Sequence, residues 1–396
     1  MLRFANILST CVLTAVLAAT LVPASQAQTI SVLYNFPGYQ AGTSPYGPLR
    51  LDAQGNIYGT TQAGGFYGYG TVYKLSPNGD GSYSETVLYS FAAGTDGNSP
   101  TSGVVMDKNG NLFGATAFGG SNTCSCGTVF ELSPRSNGTW QEKIIYRFPA
   151  QTSTNAANPL LLDSTGNIYG SMWGNATSYG FVFELSPNGK GGWREQTIHT
   201  FGTGSDARYI SPIIMDAKGT LYGMGNEGGT YNEGVIFELT PSGSTWTETI
   251  LYNFNCHSLY SPCYPSAPLT LDGEGNIYGE ANDTVFKFST ATQRMKTLYS
   301  LTPSTLGYPE GFGVALDNAG NLYGSTYDGG QYGEGTLFEL SPTTSGLWQG
   351  TDLLDFNPGV TAVGNARTLQ LTPQGGFIGT SYYCLTQNGC VYQLTP

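Results

Sequence analysis

The chain has 396 residues, 15 of them basic and 27 acidic, for a net charge of −12 at pH 7. With no Lys/Arg cluster to offset that charge, it repels nucleic acid and anionic membrane surfaces, so nucleic acid is not expected as a partner. Only 11% of residues are charged, while 56 are Gly, 27 Tyr and 19 Phe, a composition of many short strands and tight turns rather than of helices.

In chain order, residues 1–27 come first and read as a secretory signal. Arg3 supplies the positive start, Ile7 to Val22 the apolar stretch, and Ser25-Gln26-Ala27 a small-x-small cleavage site. A retained membrane anchor is the alternative. Ser9, Thr10, Thr14 and Thr20 inside the stretch, and Pro23 before the cleavage site, argue against it. Cys11 lies within the apolar stretch, which makes a poor lipidation box. Cleavage would leave residues 28–396 secreted or periplasmic, with no stable membrane anchor.

Residues 30–36, Ile-Ser-Val-Leu-Tyr-Asn-Phe, form a strand pattern with no partner nearby in sequence. Beyond them a motif L-D-x-x-G-N-[IL]-[YF]-G recurs near 51–59, 106–114, 162–170, 215–223, 271–279, 316–324 and 371–379. The copies start at Leu51, Met106, Leu162, Met215, Leu271, Leu316 and Leu371, in steps of 55, 56, 53, 56, 45 and 55 residues. Periods of this length mark a repeated supersecondary unit.

In the first copy, Leu49 to Asp52 and Asn56 to Thr61 read as two strands. Ala53-Gln54-Gly55 between them fits a type I turn ending in a left-handed glycine. The seventh copy places Pro373 where such a turn favours it. A glycine-rich loop leads to a third strand, Gly70 to Leu75; Ser76-Pro77-Asn78-Gly79 turns the chain into a fourth, Glu85 to Phe91. Four antiparallel strands in about 50 residues make one propeller blade.

The last copy ends at Leu394 after three strands, and residues 30–36 match the fourth-strand pattern of Val87 to Phe91 and Ile250 to Phe254. The expected fold is therefore all-β: a seven-bladed β-propeller, four antiparallel strands per blade, closed by the N-terminal strand completing the last blade. A β-solenoid is the alternative architecture.

Stretches such as Gly110-Asn111-Leu112-Phe113-Gly114-Ala115-Thr116 with Gly127 to Leu132, and Asn321 to Thr326 with Gly335 to Leu340, resemble the GloVer-type tandem-repeat proteins of bacteria. The resemblance covers essentially the whole mature chain and is specific to the repeat. Members often carry C-terminal surface anchors; this chain ends at Pro396, inside its last blade, as expected of a freely released member. No site residue is carried over from the family.

Cys11 leaves with the signal, and the six remaining cysteines suggest local disulfides: Cys124 with Cys126, Cys256 with Cys263, and Cys384 with Cys390. The last two would contribute about 2 kcal/mol each on loop-closure entropy. Cys124-Ser125-Cys126 is tighter and would be strained if bridged. A zinc site built from these six is the alternative.

All three pairs fall in the connections between second and third strands or between blades, which vary from repeat to repeat and share one face. Variable loops pinned on a rigid scaffold are where function usually sits. These connections hold Phe66, Tyr67 and Tyr69; Phe118; Trp173 and Tyr179; Tyr231; Tyr260 and Tyr264; Tyr327 and Tyr332; Tyr382 and Tyr383. Glu227, Glu233, Asp328 and Glu334 stand among them. Aromatic faces beside carboxylates suit sugar rings; packing between blades is the competing role for any single ring. The candidate ligand-binding set is Tyr67, Tyr69, Trp173, Tyr179, Tyr231, Glu233, Tyr327, Asp328, Tyr332 and Glu334. In blade five, Gly279 to Phe286 replaces the long loop by a tight turn beside Glu280 and Asp283, a tolerated deletion or a notch for a ligand.

The repeated Asp (Asp52, Asp107, Asp163, Asp216, Asp272, Asp317) is expected to cap its turn rather than bind calcium, which needs several converging oxygens. No cofactor or metal set is read from the sequence. His199 occupies a fourth-strand position where blade one has Tyr89, as for a packing residue, and His257 lies in the Cys256–Cys263 loop. No Gly-x-Ser-x-Gly elbow, His-Glu-x-x-His helix or phosphate loop occurs. The expected function is non-enzymatic binding of a polysaccharide or cell-surface partner. A glycan-active enzyme using a carboxylate pair such as Glu233 and Glu334, and a structural or protein-interaction ring, are the alternatives.

Overall fold

The computed structural model describes residues 29–395 apart from 123, 125, 150–157, 176–177, 203, 257–261, 303–305, 308–312, 358–362, 373–374 and 385–386. Residues 1–27, expected to be a secretory signal and including Cys11, lie outside the described residues, as do Pro373, His257 and Tyr260 and the side chain of Tyr383.

Every regular element among the described residues is a strand, and the strands form seven antiparallel sheets. The first blade runs Thr43–Leu51, Ile57–Ala63, Thr71–Pro77 and Tyr83–Ser90, hydrogen-bonded in that order. In blades two and four the inner strand is split in two, both parts pairing with the same second strand. Closure comes from the N-terminus: Thr29–Asn35 pairs antiparallel with Cys390–Thr395, from Thr29 opposite Thr395 to Asn35 opposite Cys390. The ring therefore has no open junction, and the solenoid alternative falls.

The motif explains the hairpin at the start of each blade. Gly55 sits at φ +78°, where a side chain would be strained, and its N–H donates to the Asp52 carbonyl. The Asp52 carboxylate accepts the N–H groups of Gln54 and Asn56, the Asn56 amide and the Tyr58 hydroxyl at 2.7–3.1 Å. Asp107, Asp163, Asp216, Asp272 and Asp317 accept the corresponding backbone N–H bonds, so each caps its own turn. Burial opposes ionisation of Asp52, Asp163 and Asp272, but these donors outweigh it and hold all three below the usual carboxylate range.

The last glycine of the motif answers to packing. A Cβ on Gly59 would meet the Tyr73 hydroxyl at 2.4 Å, and one on Gly114, Gly170 or Gly223 would meet Phe130, Phe183 or Phe237 at 2.4–2.5 Å. The aromatic ring of the third strand thus lies across the second strand. Each of the seven apolar clusters spans one junction between neighbouring blades, as where Tyr58, Val72 and Phe91 of blade one meet Val104, Leu112 and Phe130 of blade two. Burying one such ring fully contributes about 2–3 kcal/mol.

Every fourth strand carries a β-bulge at the same place, leaving out Leu33, Leu88, Ile145, Ile198, Leu251, Leu298 or Leu353 from the pairing. The extra residue bends the strand, and it precedes the outer aromatic by one position in six of the seven blades. The bulge in Thr29–Asn35 matches those in the continuous blades, so the N-terminal strand fills a true fourth-strand place.

Candidate functional site

Successive antiparallel strands alternate in direction, so connections from second to third strand and from blade to blade share one face, and the short capped turns share the other. Exposed aromatic side chains divide unequally between the two. Among the described residues, the exposed large apolar side chains are Tyr39, Phe66, Tyr67, Tyr69, Tyr231, Tyr264, Tyr327, Tyr332, Val87 and Leu347. All the aromatics in that set lie in the variable connections; the two that do not are aliphatic.

The sequence-predicted residues gather in groups along this face. In blade one, Tyr67 and Tyr69 are exposed beside Phe66, which meets Tyr67 edge to face with centroids 4.9 Å apart. The carbonyl of Tyr39 accepts the Gly65 N–H at 2.6 Å, which ties the residue 37–42 connection to this loop. At the junction of blades three and four, Trp173 is half-buried and stacks on Tyr209, centroids 6.1 Å apart. Tyr179 is half-buried beneath the Arg208 guanidinium, which lies 5.5 Å from the ring centroid and 3.8 Å from Glu227. Tyr231 is exposed in blade four; in blade six Tyr327 and Tyr332 are exposed and Asp328 and Glu334 half-buried.

Tyr69, Tyr179 and Glu233 hold one structural place: each precedes the glycine that leads into a third strand. Their carbonyls accept the N–H groups of Ser99, Tyr209 and Tyr264 in the next blade at 3.0, 2.9 and 2.9 Å. Those three donors adopt φ of +54°, +57° and +50°, a left-handed turn that aims the amide back across the junction. The Glu233 carboxylate also accepts the Cys256 N–H, so it anchors the loop closed by Cys256–Cys263. Cys384–Cys390 and Cys124–Cys126 are bridged as well, with Cα atoms 5.8 and 5.3 Å apart.

Blade five has the expected tight turn, Ala281 pairing Thr284 across Asn282-Asp283. Glu280, however, faces inward: it is 2% exposed and accepts the Gly313 N–H of blade six at 3.1 Å, with its other carboxylate oxygen unpartnered. Burial pushes its pKa up to about 7. It therefore links blades rather than lining an opening.

Three clefts lie on the capped-turn face instead. One of about 450 Å³ is lined by Asp107, Asn111, Glu131, Asp163 and Trp193; a second of about 570 Å³ brings together Arg50, Asp317, Tyr323 and Gln370. None of the ten predicted residues lines these or the third cleft, near Lys143 and Gly191. Residue-level reading of the sequence also missed the arginines. Arg367 lies over both Tyr46 and Tyr382, at 5.0 and 4.6 Å, and Arg208 over Tyr179. Both arginines sit in first-strand segments, where no periodic signal marks them.

The profile of the Gloeobacter/Verrucomicrobia repeat matches residues 19–173 and again 125–283, covering most of the chain. The chain belongs to that repeat family. No curated protein matches the sequence of this family member. Among solved structures it is similar to the extracellular domain of a protein described as a one-component system from B. thetaiotaomicron, at 12% identity and TM-score 0.56. That match covers 92% of this repeat protein and 40% of the other chain. It is also similar to PorZ, a surface component of the type-IX secretion system of Porphyromonas gingivalis, at 13% identity and TM-score 0.51 over 88% of this chain and 46% of that one. The repeat protein thus spans less than half the length of these chains, and at such identity the likeness is one of fold.

Proposed function

We propose that this chain is an exported binding propeller that takes a carbohydrate of the cell envelope or surroundings on its variable-connection face. One observation carries the reading: among the described residues, the exposed large aromatic side chains all lie on that face. Solvent-facing tyrosines offer flat apolar surface for sugar C–H faces and a hydroxyl for sugar oxygens, at low entropy cost. Their setting on a rigid ring, in loops tied by disulfides and by amide-to-carbonyl bonds between blades, supports binding without reorganisation. Three local disulfides agree with an oxidising, extracytoplasmic setting.

Turnover has less support. A hydrolase needs a carboxylate pair about 5–9.5 Å apart that is available to substrate. Glu233 is committed to the Cys256 amide.

The test is incubation of the mature chain with a polysaccharide panel, following retention on each glycan and release of new reducing or unsaturated ends. Retention without new ends is the expected result. New ends would make the protein a glycan-active enzyme, and neither signal would leave a protein-interaction ring.

A further inference from the structure

The fourth strands of neighbouring blades meet through a recurring polar contact. Where blade seven meets blade one, the Tyr34 hydroxyl donates to Glu85 at 2.9 Å. Where blade one meets blade two, the Tyr89 hydroxyl donates at 3.0 Å to Asp96 of the connection, and Glu142 of the next fourth strand lies beside them. The junction of blades three and four repeats the second arrangement with one change: His199 stands in place of Tyr89, Asp206 in place of Asp96 and Glu248 in place of Glu142.

The exchange alters the geometry. His199 Nε2 lies 3.7 Å from Asp206 Oδ2 and 3.6 Å from Glu248 Oε2, both too long for hydrogen bonds. Nε2 is nevertheless shut off from solvent with no hydrogen-bond partner, and so is Glu248 Oε1. One ligand atom from each of the three residues falls within 4.8 Å of the other two. An imidazole nitrogen equidistant from two carboxylate oxygens and bonded to neither matches ligands of a shared ion. Metal bonds of about 2.0–2.2 Å in a tetrahedron set ligand atoms about 3.4 Å apart.

We propose that His199, Asp206 and Glu248 bind a divalent first-row transition metal ion of the Zn²⁺ class at the junction of blades three and four. Two of the three ligands, Asp206 and His199, are held in place before the ion arrives. Asp206 Oδ2 accepts the Gly202 N–H at 2.7 Å and Oδ1 the Ala207 N–H at 2.8 Å, which fixes the carboxylate plane. The imidazole packs edge-on against Phe201, centroids 4.6 Å apart. The side chains of His199, Asp206 and Glu248 are 25, 20 and 18% exposed, so the cluster lies near the outer edge of the ring, and a water that enters with the ion would complete the set. One imidazole with two carboxylates suits Zn²⁺, Co²⁺ or Mn²⁺; Ca²⁺ prefers six or more oxygens. Because the ligands come from two fourth strands and the connection between them, the ion clamps two blades together.

The internal repeat supplies the control, since His199→Tyr recreates the Tyr89 junction that already exists in this fold. Untagged, chelator-treated full protein is titrated with Zn²⁺ by calorimetry and with Co²⁺ by visible absorption. The wild type is expected to take up one ion per chain with a Kd below about 10 μM, to show the d–d bands of a Co²⁺ site, and to unfold at higher temperature with metal than without. His199→Tyr should fold and lose both signals while His257 remains, and Glu248→Gln should weaken uptake at least tenfold. Failure of the wild type to bind either ion, or equal uptake by a folded His199→Tyr variant, overturns the proposal.

Discussion

Gly234 and Pro265 belong to neighbouring blades, and a Cβ on Gly234 would lie 2.5 Å from the proline Cδ. Three other junctions repeat the contact, Gly70 against Pro100, Gly180 against Ile210 and Gly389 against Pro45, at 2.2–2.7 Å. The glycine that opens a third strand therefore admits the first-strand segment of the next blade. Beside it, the carbonyl of Tyr69, Tyr179, Glu233 or Asn388 receives that segment's amide.

Gly234→Ala should destabilise the ring through both overpacking and its φ of +103°, by about 2–4 kcal/mol in all. Gly79 has φ +86° but nothing within 4 Å of its Cβ position, so Gly79→Ala should cost only about 1 kcal/mol. Guanidinium unfolding of the two variants compares them directly. Equal losses would mean that the neighbouring blade gives way.

Closure by the N-terminal strand makes Phe36 a core residue. It is fully buried, 5.0 Å from the Tyr73 ring, in the place held by Phe91 and Phe254 in continuous blades. Phe36→Ala should cost about 3–5 kcal/mol, as Phe91→Ala should. A near-zero cost at position 36 alone would mean that the last blade stands without its N-terminal strand.

Stability should be greatest in mildly acidic solution. Burial raises Glu85, Glu142 and Glu280 from 4.5 to about 7, so the folded chain retains protons that the unfolded chain releases. Stability from these groups is full below about pH 4.5 and declines as pH rises through about 7. Asp52, Asp163 and Asp272, held low, contribute above their ordinary value of 3.8 and lose that contribution only in stronger acid. Melting temperatures across pH 3–8 should peak near pH 4–5, and Glu280→Gln should flatten the decline toward pH 8. A profile that rises steadily to pH 8 would contradict these buried carboxyls.

On the proposed binding face, Tyr67→Ala and Tyr231→Ala should each weaken glycan retention about tenfold without changing the melting temperature, because both rings are more than half exposed. Leu347→Ala, on the capped-turn face, serves as the comparison and should leave retention unchanged. Unaltered affinity in both tyrosine variants would remove the aromatic face from the account.

Much of the architecture is legible in the repeat. The L-D-x-x-G-N-[IL]-[YF]-G motif names its own turn: Asp52 caps, Gly55 takes positive φ, and Gly59 makes room for Tyr73. The orphan strand pattern at residues 30–36 finds its partner in Cys390–Thr395. The candidate site is only partly legible. Exposure of Tyr67, Tyr231 and Tyr332 follows from their place in glycine-rich connections, but Trp173 turns to stack on Tyr209 and Glu233 to hold Cys256. Composition cannot tell a ring offered to solvent from one spent on a neighbour.

By itself the sequence determines the seven blades, the hairpin chemistry and the ring closure, because those features depend on local φ preferences and on a pattern repeated every fifty-odd residues. Only the tertiary structure decides what meets between blades. His199 reads as a packing residue until Asp206 and Glu248 stand beside it, and Glu280 reads as a rim carboxylate until the Gly313 amide takes it inward. Such contacts join residues from separate repeats, and their geometry is set by how closely the sheets stack, which no single repeat encodes.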